Sequence, residues 1–168
     1  QHLPEVPKRK QGVYAHSCGG LHFVQGVLAW ARHPAVRKKW GPRVDRQIAI
    51  LFYRLGSERA QYDAAYQVTL SSQPQYKLQV LVQMVKFYGH WLETVAMLRD
   101  ELKWKPDATQ QIAINRAEAY LDFAVRGLNE AKAFESMPQL AQSQPQVYLD
   151  LIGDSCHAAH GLEAWHAK

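Results

Sequence analysis

Apolar residues recur at steps of three and four along nearly the whole chain, and β-branched runs with period two are absent. A first helix is predicted from Val13 to about Arg32. It stops before "HP", because the residue preceding a proline is pushed out of the helical region. Pro42 suits the opening turn of a second helix, where its missing N–H costs nothing. Val44, Ile48, Leu51 and Leu55 begin the apolar stripe of that helix, and Tyr62, Tyr66 and Thr69 carry it to about Leu70. "SSQPQ" breaks the pattern. A third helix follows, with Leu78, Leu81, Val85, Tyr88, Leu92, Val95 and Leu102 forming a seam of coiled-coil type, interrupted only by Arg99. "KPDATQ" ends it and starts the fourth, where Asp107 and Gln110 have the spacing of a capping box. Ile114, Ala117, Leu121, Ala124, Leu128 and Ala131 trace the buried stripe. "ESMPQLAQSQPQ" holds one short helical turn at Pro138. The last helix, about Gln146 to Trp165, is expected to turn Tyr148, Ile152, Ala159 and Leu162 inward.

Five helices, mostly long and joined by short polar links, predict an all-α, antiparallel up-and-down bundle. Residues 1–12 form an extended tail, and 13–168 one domain. With 168 residues, 47% of them hydrophobic, the chain can bury a full core without help from a metal. No apolar run reaches the roughly 18 residues that a membrane span requires.

Charge changes this picture at one place. Nine cations against Glu5 and Asp45 give residues 1–46 a charge of +7 and leave −2 for the rest of the net +5. "WARHPAVRKKWGPRVDR" sets Arg32, Arg37, Lys38, Lys39, Arg43 and Arg46 beside Trp30 and Trp40. This segment is the candidate contact surface for a macromolecule: an acidic protein partner, an anionic membrane surface, or, least favoured in an exported protein, nucleic acid. The plain alternative is a solvated link between two helices. A second cluster, "KFYGHWLETV", crowds Phe87, Tyr88 and Trp91 into one turn, and a wide core face is the favoured explanation.

The two cysteines stand near opposite ends, in "HSCGGLH" and "DSCHAAH". First and last helices of such a bundle often lie side by side, so a Cys18–Cys156 disulfide is expected. Gly19, Gly20, Gly26, Gly153 and Gly161 would let the two backbones approach. The bridge would contribute about 5 kcal/mol in the chain-entropy description, and it implies an oxidising compartment. Gln1 fits the start of a mature exported chain. The expected location is therefore the periplasm or the exterior.

Histidines crowd the same two stretches. His16, Asp154, His157 and His160 would form a site for Zn²⁺ or Cu²⁺ if the terminal helices touch. Neither C-x-x-C-H nor H-E-x-x-H occurs. No G-x-S-x-G elbow or glycine-rich phosphate loop after a strand is present either, so the sequence supports no catalytic role. The leading expectation is an exported helical protein that binds another macromolecule, as an immunity or inhibitor protein against a toxin or envelope hydrolase does. The alternative is a metal- or small-ligand-binding bundle built on the histidines, and no cofactor belongs to the leading reading.

Overall fold

In the computed structural model, residues 20–167 are described. They form six α-helices and one 3₁₀ turn, with no strand among the described residues. Helix α1 (Leu21–Ala31) follows Gly20, whose φ of 76° is the left-handed conformation that glycine adopts without strain. The part of the first predicted helix before Gly20 lies outside the described residues. His33 is extended (φ −74°, ψ 125°), as a residue before proline must be. Pro34 then opens α2 (Pro34–Ser71), eight residues earlier than the pattern suggested. Both Pro34 and Pro42 satisfy the rule for a first turn. Pro34 takes that position, and Pro42 sits inside the helix, forgoing one backbone bond. The basic stretch from Arg37 to Arg46 is thus the first turns of α2, while Trp30 and Arg32 stand at the end of α1.

The 3₁₀ turn Pro74–Tyr76 leads into α3 (Lys77–Leu102), which is the centre of the molecule. Between Met84 and Trp91 it buries Met84, Val85, Phe87, Tyr88, Gly89, His90 and Trp91. A helix buried all round needs neighbours on every side, and α3 packs against α1, α2, α4 and α6. The aromatic cluster is therefore core. Trp91 also donates its Nε1–H to the Leu51 carbonyl at 3.1 Å. Each fully buried large apolar side chain contributes about 1.5–3 kcal/mol relative to exposure.

Helix α4 (Ala108–Glu130) begins with the expected capping box. Asp107 accepts from the Gln110 N–H at 2.8 Å, and the Gln110 side chain accepts from the Asp107 N–H at 2.9 Å. Its predicted stripe is buried from Ile114 to Leu128, while Ala131 caps the helix and is exposed. Short α5 (Met137–Ser143) carries Pro138 and precedes α6 (Pro145–His166).

Helix α6 matches its predicted face only in part, with Tyr148 and Leu162 half-buried against the core. Leu151, Asp154, Ala158 and Gly161 are buried, whereas Ile152 and Ala159 are exposed. A carboxylate and a glycine at buried positions do not register in a hydropathy pattern. The glycine has a packing reason. A Cβ at Gly161 would stand 2.8 Å from the Glu93 nitrogen and the Gly89 oxygen, and one at Gly89 would stand 2.8 Å from Ala158 Cα. Three small residues thus bring the α3 and α6 backbones into contact.

The partner of α6 is therefore α3, not α1. Gly26 and Gly153 face open space. Lys86 meets Asp150, His90 meets His157, and Arg99 donates to the carbonyls of Ala164 and Trp165. These pairs make α3 and α6 parallel. Gln25 meets Thr94, and Arg32 meets Glu101, so α1 is parallel to α3 as well. Antiparallel to α3 run α2, through Phe52–Trp91 and Tyr62–Phe87, and α4, through Gly127–Leu81 and Tyr88–Tyr120. Direction alternates along the chain, yet the central helix has two parallel neighbours.

Cys156 is an exposed single thiol on α6, and Cys18 lies outside the described residues. The predicted disulfide thus has no support, and the side-by-side packing of first and last helices that motivated it is replaced by packing of both on α3.

Candidate metal centre

The close approach of α3 and α6 brings polar groups from three helices to one place. His90 of α3 is 1% exposed and packs its ring against His157 of α6 (centroids 3.9 Å apart) and His22 of α1 (4.6 Å). The His22 and His157 rings are 5.6 Å apart. One ring nitrogen from each of the three lies within 4.8 Å of the other two.

Each helix supplies these groups as a pair three residues apart, which places both on one face. The pairs are His22 and Gln25 on α1, His90 and Glu93 on α3, and Asp154 and His157 on α6. The acid or amide of each pair stands beside a ring. Glu93 Oε2 lies 3.0 Å from His157 Nδ1 and also accepts from Gln25 Nε2 at 3.1 Å. Gln25 Oε1 lies 3.2 Å from His22 Nδ1. Asp154 Oδ1 lies 3.6 Å from His90 Nε2. Thr94 donates to the His90 carbonyl at 2.6 Å and accepts from Gln25. His90 Nδ1 is buried and makes no hydrogen bond, with Glu93 Oε2 3.6 Å away. A buried polar nitrogen without a partner carries a desolvation cost of about 1–3 kcal/mol.

Beyond His90 the same seam carries fixed charge. Lys86 Nζ lies 3.1 Å from Asp150 Oδ2 and 3.4 Å from Asp154 Oδ2. Burial of the ammonium opposes its charge, but the bond to Asp150 and the charges of both aspartates outweigh that and hold its pKa above the ordinary lysine value. Asp150 accepts further from Gln83 and Gln146.

Of the metal ligands expected from sequence, Asp154 and His157 stand at this centre. His160 is at its exposed rim, with Nε2 3.8 Å from Glu93 Oε1. His16 lies outside the described residues. The sequence reading missed His22, His90 and Glu93. The signal available was the recurrence of a histidine with an acid or amide three residues away, in "HFVQ", "HWLE" and "DSCH".

The basic segment is elsewhere. Trp30 and Trp40 meet at 6.2 Å, with Arg43 4.7 Å and Lys39 5.3 Å from the Trp40 ring. Phe23, Val27, Trp30, Trp40, Arg43, Val44 and Gln47 line a groove of about 320 Å³. Arg37 is engaged by Asp45 at 2.7 Å and Arg32 by Glu101 at 3.8 Å. Lys38 and Arg46 are exposed. No described helix is long and apolar enough to cross a membrane.

Compared with known protein families, with curated proteins and with solved structures, the chain matches none.

Proposed function

We propose that this all-α protein is a metal-binding bundle that takes one divalent ion of borderline softness, Zn²⁺ or Cu²⁺, on His22, His90 and His157. The observation that carries this reading is the buried His90 ring, whose Nδ1 makes no hydrogen bond and stands 3.6 Å from Glu93 Oε2, packed against two imidazoles whose own Nδ1 atoms are already bonded. Metal-ligating histidines characteristically bond their second nitrogen to a carboxylate or carbonyl oxygen, which fixes tautomer and orientation. Glu93, Gln25 and Asp154 are placed for that work. Imidazole suits zinc, copper and nickel. Three protein ligands around zinc leave a fourth position for water or another ligand.

Calorimetric titration of metal-free protein tests the proposal. The expected result is one ion per chain with Kd below about 10 μM, lost in His90→Ala and retained in His160→Ala. No binding in that range by either ion contradicts it.

A second reading rests on the Trp30–Trp40 groove. We propose that this face, with Lys38, Lys39, Arg43 and Arg46 around exposed aromatic rings, contacts an acidic macromolecular partner in an exported protein. Its support is the local excess of exposed cations together with Phe23 and Trp30, which are 50% and 49% exposed. Partner co-purification that falls with salt and is abolished in the double variant Lys39→Glu/Arg43→Glu is the expected outcome. Salt-independent association that the double variant leaves intact speaks against it.

A further inference from the structure

Resting on the metal reading, the geometry points to a regulatory use of the same centre: the ion is a removable clip that fastens helix α1 to the α3–α6 pair. Among the described residues, helix α1 has weak helix-forming signals of its own. It has 11 residues, below the roughly 12–15 at which an isolated helix is even marginal in water. Its first turn lacks a side-chain cap and any acidic residue. Arg32 and His33 alone separate it from α2. Leu21 enters the main core, but Val24, Leu28 and Ala31 pack in a smaller satellite cluster with Val44, Ile48 and Leu98.

At the N-terminal end of α1, polar ties join the apolar contact of Leu21. Gln25 donates to Glu93 and Thr94, and His22 touches the other two imidazoles. His22 is the solvent-exposed member of the three. An ion bound by all three histidines adds a direct link from α1 to both α3 and α6. Opening α1 then breaks one of three coordinate bonds. The link runs between the first and last described helices, the join that a disulfide was expected to make. Reversible metal binding makes it responsive to metal supply.

Hydrogen exchange of the full chain, read by mass spectrometry with and without Zn²⁺, tests the clip. Without the ion, α1 amides are expected to exchange ahead of those in the centre of α3. At a free Zn²⁺ concentration about 100 times Kd, α1 exchange slows by at most about 100-fold, the limit in which the open state holds no ion. In His22→Ala it stays fast at the same Zn²⁺ concentration. Three results overturn the inference: α1 exchange unchanged although calorimetry shows the ion bound, α1 already as slow as α3 without metal, or an equal slowing in His22→Ala. Absence of bound ion in calorimetry is a separate result, and it removes the metal reading itself.

Discussion

Glu93 on α3 and His157 on α6 are joined at 3.0 Å between Oε2 and Nδ1, across a helix pair brought together by Gly89, Ala158 and Gly161. The glutamate also holds Gln25 of α1, so one carboxylate connects the three helices that carry the histidines. Second-position partners of this kind typically change metal affinity 10–100-fold when removed. Glu93→Gln is therefore expected to weaken Zn²⁺ binding by about 10-fold and Glu93→Ala by about 100-fold. Competition against a colorimetric chelator measures both, and unchanged affinity in Glu93→Ala would show that the carboxylate does not position the site.

The helix contact that creates the centre is itself fragile. Adding one methyl group at Gly161 drives it into the α3 backbone, where no flexible side chain can move aside. Overpacking of this sort costs about 1–3 kcal/mol. Gly161→Ala is expected to lower the melting temperature and to weaken metal binding together. Gly153→Ala on the same helix faces open space and should leave metal binding unchanged while raising the melting temperature slightly, through a helix-propensity gain of about 0.8–1 kcal/mol. Equal behaviour of the two variants would refute the close-contact account.

Away from the metal centre, the core sets a limit on alkaline stability. Burial, reinforced by Glu58 at Tyr62 and by Asp63 at Tyr88, raises both phenols above their ordinary value of 10.0. In the unfolded chain these groups release protons near pH 10, while in the native state they keep them. Unfolding then releases protons, and stability falls as pH rises above 10. Their contribution is intact at any lower pH. Tyrosinate absorbance should report these two residues only when the helical circular dichroism is lost. The Tyr88 hydroxyl is buried without a partner, so Tyr88→Phe is expected to stabilise the fold by about 1 kcal/mol. Ionisation of all tyrosines with the helices intact would contradict this picture.

Much of the fold could be read from residue patterns because local rules decided it. The Asp107–Gln110 capping box, the α4 stripe and the short helix at Pro138 depend on neighbours in sequence. The start of α2 was misplaced because two prolines obey the same rule and nothing local chooses between them. The buried face of α6 escaped because Asp154 and Gly161 stand on it, one placed for charge and one for size. Most of the centre was hidden for a related reason. His90 lies on a helix buried on every side, where an isolated histidine among rings and aliphatic residues reads as core. Its partner across the interface, His157, was recognisable, but their meeting depends on parallel packing of α3 and α6 that no periodicity specifies.

The central claim is tested most directly by locating the ion. Crystals grown with Zn²⁺ and measured at the zinc absorption edge should give one anomalous peak about 2.0–2.1 Å from a ring nitrogen of each of His22, His90 and His157. A peak at His160 or His166 without those three, or none at zinc concentrations well above the measured Kd, would contradict the account.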